Sequence, residues 1–143
     1  APDLSVVKGR GGALLFEKLV ARRADRYIII GTDEKLVDTL GTRLPLPVEI
    51  VQMGWKHTAR ELERLGLKPE LRVGEGDAPF VTDGGNYIVD CGVAGGIDDP
   101  RELAKRIKLV TGVVDHGLFI DMADLAMTVD AEGRVTTHEH AGR

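Results

Sequence analysis

Leu4 to Ile30 reads LSVVKGRGGALLFEKLVARRADRYIII, and the change of rhythm within it decides the fold class. Leu4 to Val7 is a short apolar run of strand character. Gly9, Arg10, Gly11 and Gly12 make a glycine-rich turn. From Ala13 to Ala24 the apolar residues Leu14, Leu15, Leu19 and Val20 recur at helical spacing. Tyr27 to Ile30 is a β-branched run that reads as a fully buried strand. Strand, helix and strand in this order predict a parallel βαβ unit, and so an α/β protein.

Outward from this stretch, Gly31-Thr32-Asp33 ends the second strand, and Glu34 to Leu40 reads as a short helix stopped by Gly41. The composition shifts at Arg43 to Pro47 (RLPLP), where two close prolines block regular structure and mark a linker. Beyond it come a strand at Val48 to Met53, an amphipathic helix at Thr58 to Leu65 and a strand at Glu70 to Val73. Phe80 to Thr82 and Tyr87 to Cys91 flank Asp83-Gly84-Gly85-Asn86, a hairpin signal. Pro100 opens a helix to about Lys108, and Val113 to Ile120 reads as one strand. The order β-α-β-β-α-β is the ferredoxin-like plan. Asp124 to Val129 and Arg134 to Thr137 read as two strands that return to the first unit. The expected architecture is a partial Rossmann-like parallel α/β domain over residues 1–45, a ferredoxin-like α+β subdomain over 46–120, and return strands with a tail over 121–143.

Composition narrows the function classes. Of the 143 residues, 43% are hydrophobic, which is ample for a core and argues against disorder. A net charge of -4 without a dense basic patch disfavours nucleic acid, and aromatics at 4% leave little for stacking on bases. No apolar run approaches the roughly 20 residues of a membrane span, and no signal peptide is visible. Cys91 is the single cysteine, which fits a reducing, cytoplasmic setting. The chain opens at Ala1, without Met, almost directly on a strand; the reading expects that processing or truncation removed what came before.

The turn carries the candidate chemistry. Glycines let a backbone approach a ligand closely, and a helix start behind them offers unpaired N–H groups and partial positive charge. Lys8 adds a full charge on the strand side. The set suits an anion or a developing oxyanion. Glu17, about one turn into the helix, could face the same site as a general base. From pattern alone the alternatives stay open: such turns are common in α/β proteins, and Glu17 and Lys18 read equally as solvated helix residues. His116, His138 and His140 raise a metal site, but ligand-spaced Asp or Cys partners are missing and the last two fall in a polar tail read as disordered. No metal or cofactor is expected. Asp83 and Asp90 are read as turn chemistry, Met53 with Trp55 as a core or interface anchor, Cys91 as a buried small hydrophobe, and Asp98-Asp99-Pro100 as a helix cap.

Asp3 to Lys18, DLSVVKGRGGALLFEK, resembles the D-L-x-x-[IV]-K-G-x-G-G-[AS]-L-x-x-E-K motif of type A ribose-5-phosphate isomerases. In order, Asp33-Glu34-Lys35 resembles the family's D-E-S-K (without its Ser), Pro45 to Glu49 its P-L-P-V-E, Phe80 to Asp90 its F-V-T-D-N-G-N-x-I-x-D, and Gly112 to Phe119 its G-V-V-E-x-G-L-F. The resemblance implies an aldose–ketose isomerase that interconverts ribose 5-phosphate and ribulose 5-phosphate through a cis-enediol(ate), in the non-oxidative pentose phosphate pathway and without a metal. Glu17 matches the family's base. Lys8, Gly9, Arg10 and Gly11 match the segment that holds substrate and stabilises the enediolate, and Lys35 matches a substrate-binding lysine. A homodimer or homotetramer is implied, with a sugar phosphate as the small-molecule partner.

Departures accompany the matches. Phe16 stands where the family has Arg before the base. The family's G-T-G-S-T phosphate loop and D-G-A-D segment have no counterpart in these residues, so Lys8 to Lys18 is expected to form one wall of a site, and the chain by itself to show little turnover. Two further hypotheses are a non-catalytic phosphosugar-binding or assembly module on the same scaffold, which the upstream coding sequence would discriminate, and another sugar-phosphate isomerase specificity, which substrate profiling would.

Overall fold

The computed structural model describes residues 1–139, in three small sheets and three helices. The strands are β1 (Val6–Val7), β2 (Ile28–Thr32), β3 (Leu46–Ile50), β4 (Lys68–Leu71), β5 (Tyr87–Gly92), β6 (Val113–His116), β7 (Leu118–Phe119), β8 (Leu125–Val129) and β9 (Val135–Glu139). The helices are α1 (Leu14–Arg23), α2 (Trp55–Arg64) and α3 (Pro100–Lys108).

The ferredoxin-like order is realised in the block β3-α2-β4-β5-α3-β6. Its four strands run β4-β5-β3-β6 across the sheet, all antiparallel to their neighbours. Alternation along the strands gives the sheet two faces. Leu46, Val48 and Ile50 of β3 meet Val89 and Cys91 of β5, Leu62 of α2 and Ile107 of α3 in one apolar core. The opposite face carries Glu49, which registers with Ile88 and Asp115, and Pro47, which registers with Asp90. Every residue of β3 is buried, because this second face is covered as well, by α1 and the segment leading into it. Glu49 is accommodated there by hydrogen bonds from the Thr82 hydroxyl and the Asn86 amide, both 2.9 Å. Asp99 caps α3 by accepting from the Glu102 N–H at 2.9 Å, and Pro100 occupies its first turn.

Several expectations are corrected. β1 and β2 do not share a sheet: β1 pairs with β7 antiparallel, and β2 pairs with β8 in parallel. β2 is not fully buried. It has one pairing neighbour among the described residues, and Ile30 is 79% exposed. The expected helix from Glu34 to Leu40 shrinks to a single 3-10 turn at Asp33–Lys35. Seven residues are too few to offset helix nucleation, and the Leu40 carbonyl instead accepts from Ile97 N–H at 2.8 Å. The strand expected from Val113 to Ile120 breaks at Gly117 into β6 and β7, which belong to different sheets. A side chain at Gly117 would lie 2.3 Å from the Lys8 carbonyl oxygen and 2.8 Å from Pro47, so glycine is what lets the strand before the turn rest on β3. The hairpin turn at 82–86 forms, but its first arm is only an isolated bridge, Val81 to Tyr87.

The return strands are β8 and β9, with β8 beside β2. His138 therefore lies in β9, not in an irregular tail, with its Nε2 2.9 Å from the Thr128 hydroxyl; His140 lies outside the described residues. Among the described residues no cluster of three or more His, Cys, Asp or Glu could hold a metal ion, and no helix is long and apolar enough to cross a membrane. Met53 is 90% exposed and anchors no core, whereas Trp55 packs against the apolar cluster.

Candidate functional site

The glycine turn is fixed from three directions. The Lys8 N–H donates to the Gly117 carbonyl at 2.8 Å, which ties the entry to the β6–β7 junction. Within the turn, Gly12 N–H closes on the Gly9 carbonyl at 2.9 Å. Gly12 has φ of 91°, and a Cβ there would fall 2.4 Å from the Phe80 ring. The ring lies directly on the turn, and only glycine admits it in that conformation. From the third side comes Arg72, which follows β4. Its Nη1 reaches the Arg10 carbonyl at 2.9 Å and the Gly9 carbonyl at 3.4 Å, while its Nε and Nη2 grip both oxygens of Asp90 at 2.7 and 2.5 Å. Asp90 is thus the partner of a half-buried arginine, not a turn residue.

Helix α1 begins behind the turn, and its buried stripe is not the expected one. Leu14, Lys18 and Ala21 face inward, while Phe16, Leu19 and Val20 are exposed. Lys18, only 4% exposed, is no solvated helix residue. Its ammonium donates to Asp115 at 2.6 Å and to the His116 carbonyl at 2.5 Å, and stands 5.0 Å from the centre of the Phe119 ring. Burial draws the Lys18 pKa down, against the upward pull of Asp115. Burial alone would raise the Asp115 carboxyl; the Lys18 hydrogen bond and charge outweigh it and hold the group below the ordinary carboxylate range. His116 is pushed down to about 4, first by burial and then by the Lys18 charge. Its neutral ring accepts at Nδ1 from the Leu118 N–H at 3.2 Å, which places the ring proton on Nε2.

This anchoring leaves Glu17, the preceding residue of the helix, on the side of Lys8. The two charged groups lie 3.7 Å apart, an ion pair too long for a hydrogen bond. The Glu17 side chain as a whole is 39% exposed, yet its Oε2 is shielded from solvent and has no hydrogen-bond donor. Lys8 also stands 6.0 Å from the centre of the Phe119 ring. The Tyr27 phenol, just before β2, is pushed up, by burial first and then by the Glu17 charge.

Of the residues singled out in the sequence, the structure brings together Lys8, Gly9, Arg10, Gly11 and Glu17. Lys35 sits in the 3-10 turn after β2, exposed, and makes no ion pair or hydrogen bond with Lys8 or Glu17. Sequence reasoning missed Arg72 and the Lys18–Asp115 pair. One signal was available: Asp90 stands between Val89 and Cys91 in an apolar run, a charge on a strand otherwise built for burial.

The chain is thus an α/β protein that sets together a glycine turn with backbone N–H groups, a lysine beside it and a carboxylate oxygen without a hydrogen-bond donor, an arrangement whose chemistry suits an anion and a proton acceptor. Residues 1–133 match the family model of ribose 5-phosphate isomerase A (phosphoriboisomerase A), and the chain belongs to that family. It is 53% identical over 131 residues to ribose-5-phosphate isomerase A of Thermomicrobium roseum, covering 92% of this chain and 55% of the relative. It is 47% identical to that of a Roseiflexus species, covering 99% and 60%. Among solved structures, a D-ribose-5-phosphate isomerase in complex with phospho-erythronic acid superposes with a TM-score of 0.91 at 38% identity, and the ribose 5-phosphate isomerase of Plasmodium falciparum with 0.90 at 39%. Each covers 96% of this chain and 60% of the other. The chain therefore spans between 55% and 60% of the length of these relatives.

Proposed function

We propose that the protein is an aldose–ketose isomerase that interconverts D-ribose 5-phosphate and D-ribulose 5-phosphate. The observation that carries this is the Glu17 Oε2, shielded, without a donor, and 3.7 Å from Lys8 at the glycine turn. A carboxylate oxygen that no hydrogen bond satisfies is available to accept a proton. In the open-chain aldose, Glu17 takes the proton from C2, and the electron pair moves through C1–C2 onto the carbonyl oxygen to give a cis-enediolate. Lys8 and the turn's N–H groups stabilise that charge as it develops. Protonated Glu17 then returns its proton at C1, while the C2 hydroxyl passes its proton to the O1 oxyanion, so that C2=O forms and O1 becomes the C1 hydroxyl. Lys35 binds substrate from the turn after β2. The reading includes the division into residues 1–45, 46–120 and 121–143, a homodimer or homotetramer, and a cytoplasmic setting in the non-oxidative pentose phosphate pathway.

The test is ribulose 5-phosphate formation by the full-length gene product, compared with its Glu17→Gln variant. The expected fall in kcat is about 100- to 10,000-fold, with KM little changed, as for loss of a positioned general base. A variant as active as its parent would remove Glu17 from the role. Tight binding of phospho-erythronic acid by a parent that never turns over ribose 5-phosphate would favour a phosphosugar-binding module instead.

A further inference from the structure

We propose that Arg72 is a positioning residue that aims the Arg10 and Gly11 backbone N–H groups at the enediolate, an inference that rests on the isomerase reading above. The guanidinium divides its donors between two partners. Nε and Nη2 fork onto Asp90, and Nη1 is left with two N–H groups, which go to the Arg10 and Gly9 carbonyls. A trans peptide holds its C=O and its N–H on opposite sides. The Gly9 carbonyl shares a peptide with the Arg10 N–H, and the Arg10 carbonyl shares one with the Gly11 N–H. Drawing both carbonyls toward Arg72 therefore turns both N–H groups the other way. Within the described residues neither N–H has a protein acceptor, whereas the Gly12 N–H is already engaged by Gly9. Two free N–H groups directed the same way from successive peptides make an anion-binding concavity.

Charge and packing support orientation over simple attraction. Asp90 lies against the guanidinium at 2.5 Å and compensates its charge, so Arg72 adds little net field at the turn. The pair is well shielded, with the Arg72 side chain 15% exposed. Phe80, whose ring covers Gly12, also lies 5.7 Å from the guanidinium carbon, so one loop holds the turn by its carbonyls and by its glycine face. A lysine could not replace this arrangement. Its compact ammonium lacks the planar fork that grips two carboxylate oxygens while reaching two carbonyls.

The experiment compares the full-length gene product with its Arg72→Lys and Asp90→Asn variants. Turnover of ribose 5-phosphate, affinity for phospho-erythronic acid (whose carboxylate is an anion at the reacting end) and affinity for inorganic phosphate are measured for each. Arg72→Lys should lower kcat about 10- to 100-fold with KM within about threefold, because donors aimed at the transition state are lost while ground-state contacts remain. It should weaken phospho-erythronic acid by a similar factor and leave inorganic phosphate unchanged. Asp90→Asn should shift the same two quantities in the same direction, by less. Unchanged kcat and acid affinity in a folded Arg72→Lys protein would overturn the proposal. So would an equal loss of phosphate and acid affinity, or unfolding of both variants, since either means that Arg72 serves stability alone. A parent without turnover would overturn the isomerase reading itself, and with it this one.

Discussion

The two faces of the sheet β4-β5-β3-β6 are built from the same strands by opposite means. One face is apolar: Leu46, Val48 and Ile50 meet Leu62 and Ile107 from α2 and α3, all inaccessible to solvent. The other face holds α1 and the glycine turn with charges: Asp115 to Lys18, and Asp90 to Arg72. Apolar burial is non-directional and scales with area, so it stabilises without dictating where any one atom points. A buried ion pair adds little or nothing to stability once desolvation is counted, but it fixes two groups in one geometry. The apolar face holds the block together, while the polar face decides which way Glu17 and the turn are aimed.

The largest effect should come from breaking the apolar face. Leu62→Ala removes a fully buried side chain from the core and should cost about 2–5 kcal/mol of unfolding free energy, read from a denaturant midpoint. Its mirror, Ile30→Ala on exposed β2, should stay within about 0.5 kcal/mol. Similar losses at both sites would mean that burial does not distinguish the two regions.

Acid should act on the polar face. His116 has a folded pKa of about 4, below its ordinary 6.5, so the unfolded chain takes up a proton first as pH falls. Its contribution is complete above pH 6.5, is lost progressively between 6.5 and 4, and is constant below that, with a total of about 3 kcal/mol. Asp115, also held low, adds a further loss as pH falls below its ordinary 3.8. Denaturant titrations from pH 7 to 4 should show this slope, and His116→Gln should flatten it; an unaltered slope would place the titrating group elsewhere. Among the destabilising changes the smallest effect belongs to the cap of α3: Asp99→Ala should cost about 1 kcal/mol through loss of the bond to the Glu102 N–H, detectable as a small fall in thermal midpoint.

The ferredoxin-like block was legible because its cues are local. Proline at a helix start and Asp83-Gly84-Gly85-Asn86 at a turn each act within a few residues, and they recur at Pro100–Lys108 and at 82–86. The strand bounds were less exact: β3 and β4 start two residues earlier than expected, and Pro47, read as part of a linker, lies inside β3. The helical stripe of α1 was misread for the opposite reason. Leu19 and Val20 carry the apolar signal but face outward, and Lys18 carries a charge but is buried, because its partner Asp115 is 97 residues away. No periodicity announces such a partner. Arg72 was invisible in the same way: its meaning depends on carbonyls 62 and 63 residues earlier in the chain.

By itself, then, the sequence determined the glycine turn, the β-α-β-β-α-β order of the ferredoxin-like block, and the ordered motifs that assign the chain to its family, since each depends on neighbouring residues and their backbone preferences. Only the tertiary structure decided that Lys18 is an internal anchor, that Asp90 serves Arg72, and that the Glu17 Oε2 is shielded beside Lys8. Those outcomes depend on which charges meet across the polar face of the sheet, and the meeting exists only once distant strands have paired.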